Sequence, residues 1–188
     1  VNNAIAYLVA DYILLEDWGN ARYFLEIQLQ SPFLSMADRI AATIEYCKIM
    51  RQNFSFDISE YEARGKMIQA VLDLMKETDV DRRDRTENEI RASFLIRRQI
   101  LLYELAYLEL CEGTLNGLDR SIEHARDGLR WSVEIEAFGD LIRTEEGVYT
   151  QLDQLYLFGL RRRGYLKNEA EPGSGNAAGR TRRAGRGD

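Results

Sequence analysis

Apolar side chains recur at intervals of three and four residues along nearly the whole chain up to residue 163. That spacing places them on one face of an α-helix. No segment combines alternating β-branched residues with hairpin turn residues, so no strands are expected. The pattern predicts seven helices, near residues 3–16, 18–30, 33–53, 57–78, 86–112, 116–138 and 144–163.

Capping patterns indicate where three of these helices begin. Ser31 followed by Pro32 is typical of an N-cap with proline at the first helical position. Residues 57–60 and 86–89 have the spacing of a capping box, in which two side chains satisfy free amides of the first turn. Helix starts are therefore predicted after Ser31 and at the beginning of each box.

The stretch 86–112 is the most apolar of the predicted helices, and its apolar residues cover more than one face. A helix that is apolar on several faces is typically buried, so this one is predicted to lie at the centre of the fold. The charges within it argue against a membrane span, and we expect them to form ion pairs with neighbouring helices. These charged residues include Arg97, Arg98, Glu104 and Glu109.

The first two helices resemble one tetratricopeptide repeat over residues 5–32. The resemblance rests on Leu8, Tyr12, Ala21 and Leu25, which follow one another at spacings of four, nine and four. It implies helical hairpins stacked into a short curved array. The alternative is an irregular bundle that obeys the same packing rules. The predicted fold class is all-α, with about seven helices in antiparallel hairpins that form either a short helical-repeat array or an irregular helical bundle.

The composition changes towards the C-terminus. Residues 1–160 carry 17 Lys or Arg and 28 Asp or Glu, whereas residues 161–188 carry 8 and 3. From Asn168 onward there is no large apolar residue, so this segment cannot bury enough surface to fold alone. We predict one all-α domain over residues 1–165 and a flexible Gly/Arg-rich tail over residues 166–188.

The basic end supplies the candidate binding residues for nucleic acid or a partner. The first three arginines are expected to close the last helix, where cations stabilise the negative end of the helix dipole. The tail arginines could follow an RNA backbone or an acidic protein surface, whereas the acidic body would repel phosphate. The candidates are Arg161, Arg162, Arg163, Arg180, Arg182, Arg183 and Arg186.

No catalytic constellation is recognisable in the sequence. His124 is the only histidine and has no Glu-x-x-His partner, which excludes the carboxylate–histidine di-iron pattern and most histidine-based nucleophilic chemistry. Glu45, Glu104 and Glu109 are the first candidates for a carboxylate enzyme, and Glu109 could share a face with Glu112. We predict no catalytic residue, no metal site and no cofactor.

Two features favour an intracellular, soluble protein. Cys47 and Cys111 lie among apolar residues of predicted helices, where they are expected to stay free thiols. The apolar run 4–15 is interrupted by Asp11 and follows no basic segment, so it resembles neither a signal peptide nor a membrane span. A cytoplasmic or other intracellular location is predicted, with removal of an N-terminal targeting segment as the open alternative.

The leading functional hypothesis is a non-catalytic protein–protein interaction or scaffold module built from helical hairpins. Ten tyrosines and two tryptophans can supply contact anchors for another protein, and self-association is a further option. The first alternative is an RNA- or nucleoprotein-associated protein that uses the basic tail. The second is a helical-bundle enzyme that uses carboxylates.

Overall fold

The computed structural model describes residues 2–54, 58–77, 85–136 and 146–170. These residues form seven α-helices and contain no strand, so the all-α prediction is confirmed. The helices are α1 (Asn2–Leu14), α2 (Trp18–Gln30), α3 (Met36–Asn53), α4 (Ile58–Glu77), α5 (Arg85–Cys111), α6 (Leu115–Glu136) and α7 (Glu146–Ala170).

The helix α5 lies at the centre of the molecule, as its apolar pattern predicts. It packs against α3, α4, α6 and α7, and every residue from 99 to 106 is buried. The remaining extensive contacts join helices that are adjacent in the sequence: α1 with α2, α2 with α3, α3 with α4, and α6 with α7. Within the described residues, no helix has the length and apolar character needed to cross a bilayer.

Two hydrophobic cores share the helix α3. The larger one is built from α3 to α7, and its completely buried side chains include Ile68, Met75, Leu101 and Leu152. The smaller one joins α1 and α2 to the other face of α3; it consists of Val9, Ala21, Leu25, Ala42, Tyr46, Ile49 and Met50. The N-terminal hairpin is therefore attached to the rest of the fold through α3.

The start of α3 differs from the prediction. Ser35, and not Ser31, is the N-cap: its Oγ accepts a hydrogen bond from the Asp38 amide at 3.2 Å. Ser31 ends α2 instead, where its amide donates to the Gln28 carbonyl. The prediction is wrong because Ser35 offers the same capping chemistry and also has an acidic residue, Asp38, in the first turn, where negative charge is favoured.

The predicted capping boxes have different outcomes. The helix α4 begins at Ile58, and residue 57, the predicted cap, lies outside the described residues. The helix α5 begins at Arg85, so Thr86 lies inside the helix, two residues after the position that a cap would occupy. Differences of one or two residues are within the usual variation of helix ends.

The end of α7 is also different from the prediction. The helix continues to Ala170, well past the predicted end at residue 163 and past the predicted domain boundary at residue 165. Residues 164–170 include one glycine, whose cost inside a helix is only about 1 kcal/mol, and the next proline is Pro172. The sequence therefore contains no strong helix breaker before Ala170.

A tight turn joins α5 to α6 and so connects two of the helices that line the groove. Gly113 adopts a left-handed backbone with φ of 72°, a conformation that glycine adopts at little cost after the end of a helix. Thr114 then accepts a hydrogen bond from the Gly117 amide at 2.9 Å through its side-chain oxygen, which caps α6.

Candidate functional site

A groove runs between α4 and α6, with α5 as its floor. It consists of two adjoining cavities of about 670 Å³ and about 450 Å³, which share the side chains of Gln69 and His124. The two flanking helices make no extensive contact with each other across the described residues. Cavities of this size fall in the range that small ligands and peptide side chains occupy.

The larger cavity is lined by three carboxylates and two cations, and each cation is paired with a carboxylate. Arg120 of α6 contacts Glu109 of α5 and Glu112, just past the end of α5: its Nε lies 2.6 Å from Oε2 of Glu109, and its Nη2 hydrogen-bonds Glu112. The hydrogen bond to Glu109 contributes most to raising the pKa of Arg120. At the rim, Lys66 pairs with Glu62 at 2.6 Å. The expected common face of Glu109 and Glu112 is present, and its role is to hold Arg120.

The smaller cavity has a different balance of charge. Its lining includes Lys76, Arg98 and Arg130 and a single carboxylate, Asp127. The guanidinium carbon of Arg98 lies 4.4 Å from the centre of the Trp131 ring, which is cation–π geometry. In the described part of the chain, no ion pair joins Arg97 or Arg98 to an acidic residue, so the expected pairing of one of these two arginines is not observed there.

His124 lies where the two cavities meet. The side chain is half-buried, and burial lowers its pKa below the ordinary value, against the opposing influence of Glu109, Asp127 and Glu123. The imidazole is therefore neutral at pH 7. The sequence gives no sign that His124 lies in a groove, because its place there depends on how α6 packs against α5.

A second polar cluster lies in the core, where Arg51 of α3 meets Glu104 of α5. Nε of Arg51 is 3.2 Å from both carboxylate oxygens, and its guanidinium lies over the rings of Tyr103 and Tyr107 at 5.4 Å and 6.0 Å. Burial raises the pKa of Glu104, and the neighbouring Arg51 opposes that shift. The arrangement confirms the predicted ion pairing of Glu104 with a neighbouring helix.

The candidate carboxylates of an enzyme site do not form one constellation. Glu104 is paired with Arg51 and Glu109 with Arg120, which lie on opposite sides of α5 in different cavities. Glu45 does not line the groove. Among the residues that the structure describes, no group of three or more His, Cys, Asp or Glu side chains is placed to hold a metal ion.

Both cysteines are free thiols, as predicted. Cys47 is buried next to the Arg51–Glu104 pair, and burial raises the pKa of its thiol. Burial also raises the pKa of Cys111. Since the thiolate is the reactive form, neither cysteine has the environment of a nucleophile.

An apolar face of α1 lies open to solvent. Val9 is the only buried residue among those of α1 whose side chains are described. Tyr7 is 73% exposed, Leu14 is 81% exposed and Leu15, just past the helix, is 74% exposed. Spacings of seven and eight residues place these side chains on one side of the helix. We call Tyr7, Leu8, Leu14 and Leu15 the α1 face.

The predicted basic residues are only partly within the described chain. Arg161 and Arg162 are exposed on α7, whereas Arg163 pairs with Asp119 of α6, with Nε 2.7 Å from Oδ1. Since α7 continues to Ala170, none of the three lies in its last turn, and the expected role at the helix dipole is wrong. The other four, Arg180, Arg182, Arg183 and Arg186, lie outside the described residues.

Comparison of the chain with protein-family models gave no match, and comparisons with curated proteins and with solved structures gave none either.

Proposed function

We propose that this protein is a non-catalytic module that binds another protein through the α1 face. The observation that carries the proposal is the exposure of large apolar side chains along one side of that helix. Single exposed apolar residues are ordinary on protein surfaces, whereas contiguous ones mark interaction sites. Burial of Tyr7, Leu14 and Leu15 against a partner would contribute a favourable hydrophobic free energy to binding.

The chemistry of the hairpin favours an apolar partner surface. The apolar side chains of the α1 face surround the exposed Asp11, the only charged residue of α1. The neighbouring α2 adds Tyr23 and Ile27, which are 57% and 36% exposed. Tyr23 is held edge-on against Phe24 with ring centres 5.3 Å apart. A partly fixed aromatic ring loses little conformational entropy on binding, and tyrosine is common among the residues that dominate binding energy. An amphipathic helix of the partner would match this surface.

The resemblance to a tetratricopeptide repeat over residues 5–32 is part of the proposal. It is supported by the order of the extensive helix contacts, which join helices one or two places apart in the chain. Stacked helical hairpins make contacts of this kind. The contacts of α5 with four helices are equally compatible with the irregular bundle, so the binding proposal depends on the exposed face and not on the repeat.

The experiment compares the wild type with a Tyr7→Gln/Leu14→Gln double variant. Each full-length protein is immobilised and incubated with extract from its native source, and retained proteins are quantified by mass spectrometry. We expect the double variant to lose the proteins that the wild type retains. Both positions are exposed, so folding stability should change by no more than about 0.5 kcal/mol each.

The matched control is Leu115→Gln, which changes an exposed leucine (53%) at the start of α6. The control should retain the same proteins as the wild type. Sedimentation velocity on all three proteins distinguishes a foreign partner from a second copy of this chain. The proposal is wrong if the double variant retains the same proteins in the same amounts and sediments as the wild type does.

A further inference from the structure

The smaller cavity of the groove, of about 450 Å³, carries an excess of positive charge in a protein whose net charge is −6. We call it the Arg98 pocket and define it by Arg98, Trp131, Lys76, Arg130, Asp127 and Gln69. Three of these side chains are cationic and one is a carboxylate. An acidic protein that gathers cations around one concave site has there the field that attracts an anion.

The cations of the pocket differ in their partners. Lys76 pairs with Asp73 at 3.1 Å, and Arg130 pairs with Asp127 at 3.2 Å; all four side chains are about half exposed or more. Arg98 forms no ion pair with any residue in the described part of the chain. Among the described residues, Arg98 is therefore the one cation of the pocket that has no ion-pair partner.

The position of the Arg98 guanidinium against the Trp131 ring suits the binding of a planar ligand. The Trp131 ring supports one face of the guanidinium at 4.4 Å, which restricts its orientation. Nε of Arg98 is buried and has no hydrogen-bond partner in the described structure. Because Nε is buried, a ligand in the cavity would contact the two terminal nitrogens of the guanidinium. Two parallel donors on one edge of a guanidinium match the two oxygens of a carboxylate.

The apolar side of the pocket strengthens such a contact. Leu72 of α4 and Leu102 of α5 are both buried and line the cavity next to the charged groups. Apolar surroundings lower the local dielectric constant, which makes a charge-assisted hydrogen bond stronger than it is in water. The pocket therefore combines an apolar floor with one orienting cation.

We propose that the Arg98 pocket binds a carboxylate group, held by two hydrogen bonds to the guanidinium of Arg98. A carboxylate brings one negative charge to the one pocket cation that has no ion-pair partner among the described residues, whereas a phosphate brings between one and two negative charges next to Asp127. The carboxylate belongs either to a small organic acid or to an acidic side chain of a polypeptide. The site lies on the groove between α4 and α6 and does not depend on the α1 face.

The test uses the fluorescence of Trp131 in full-length protein carrying Trp18→Phe, which leaves Trp131 as the only tryptophan. Glutarate, hexaglutamate and inorganic phosphate are titrated separately at constant ionic strength. We expect a saturable change with at least one of the two carboxylate probes. The affinities of the two carboxylate probes are compared per carboxylate group. A higher affinity for hexaglutamate assigns the site to polypeptides, and an equal or higher affinity for glutarate assigns it to small acids.

The variants separate recognition from general charge. Arg98→Gln should weaken binding by at least about ten-fold, and Arg98→Lys should weaken it too, because lysine keeps the charge but lacks the paired donors. Arg97→Gln removes the same charge at the next position of α5, which does not line the pocket, and should leave the affinity unchanged. Stabilisation of the protein against heat by the bound probe gives a second readout for each variant.

Three results would overturn the proposal. The first is the absence of a saturable change, or of heat stabilisation, with both carboxylate probes. The second is an equal loss of affinity in Arg97→Gln and Arg98→Gln, which would indicate a diffuse electrostatic effect. The third is tighter binding of phosphate than of either carboxylate, which would assign the pocket to a different ligand class.

Discussion

Glu104 is a carboxylate almost completely removed from water, with 4% of its side chain exposed. In the folded state its pKa is raised above the ordinary value, because burial disfavours the charged form more than Arg51 favours it. The unfolded chain has the ordinary pKa, so ionisation of Glu104 opposes folding. Protonated Glu104 therefore stabilises the folded state fully at pH values below its ordinary pKa. This stabilisation is lost as the pH rises through the higher pKa that Glu104 has in the folded state.

Replacement of Arg51 by methionine tests this balance. Without the guanidinium, the pKa of Glu104 should rise further and an unpaired carboxylate would remain in the core at neutral pH. We expect Arg51→Met to lower the free energy of unfolding by about 3 kcal/mol at pH 7, the scale for breaking a buried pair. The loss should be smaller near pH 4, where more Glu104 is protonated. Urea denaturation at both pH values measures it.

The double variant Arg51→Met/Glu104→Gln is the control, because it removes both charges. We expect it to be more stable than Arg51→Met at pH 7 and to show less dependence on pH. A destabilisation of Arg51→Met that is the same at both pH values would contradict the electrostatic explanation. It would then reflect only lost packing against Tyr103 and Tyr107.

At the scale of elements, α6 and α7 approach closely at two glycines. A Cβ on Gly128 would lie 2.8 Å from Cδ1 of Leu152, and a Cβ on Gly159 would lie 2.7 Å from Cγ1 of Ile122. Both distances are too short for real carbon contacts, so a larger residue would require the side chain of Leu152 or Ile122 to shift. The contact matters for the groove because α7 supports α6 from the side opposite to α4.

Substitution of Gly128 by alanine should therefore destabilise the fold. Alanine favours the helix by about 1 kcal/mol, but a methyl group against the completely buried Leu152 should cost more, which leaves a net loss of about 1 kcal/mol. Gly164→Ala is the matched control, since no atom lies within 4 Å of its added Cβ and its position in α7 is exposed. Thermal unfolding gives the melting temperature of each variant. A melting temperature of Gly128→Ala equal to or above that of Gly164→Ala would contradict the close approach of the two helices.

At the scale of the whole molecule, charge is separated between an acidic body and a basic end. Arg161 and Arg162 are exposed on α7, and the four further candidate arginines follow in residues 171–188. This distribution supports the alternative in which the basic end binds RNA. In that case each phosphate contact contributes roughly 0.7 to the slope of log affinity against log salt for a single strand.

Removal of residues 171–188, which leaves α7 complete, tests this alternative. If the tail arginines contact phosphate, the truncated protein should bind a uridine 20-mer more weakly, and its salt slope should fall by up to about 3 for four lost contacts. Fluorescence anisotropy at several salt concentrations measures both quantities. Unchanged affinity and slope would show that the tail has no part in RNA binding, and an Arg161→Gln/Arg162→Gln variant would then test α7 alone.

The helices of this protein could be predicted from the sequence because they depend on local properties. The three-to-four-residue spacing of apolar side chains identified all seven helices, and the apolar faces of the stretch 86–112 identified the central one. Helix ends were less certain, since several residues can provide a cap. Ser31 and Ser35 are both suitable, and the hydrogen bond to Asp38 decided between them.

The candidate sites, in contrast, were decided by the tertiary structure. The spacing of the sequence places Arg98 and Glu109 on α5. Only the packing of α6 against α5 brings Trp131 against Arg98, and Arg120 beside Glu109. Likewise, spacing cannot show that α4 and α6 leave a groove between them or that α1 buries little besides Val9. Local sequence determines which residues share a face of a helix, whereas the partner of each face is determined by how all the helices pack together in the folded chain.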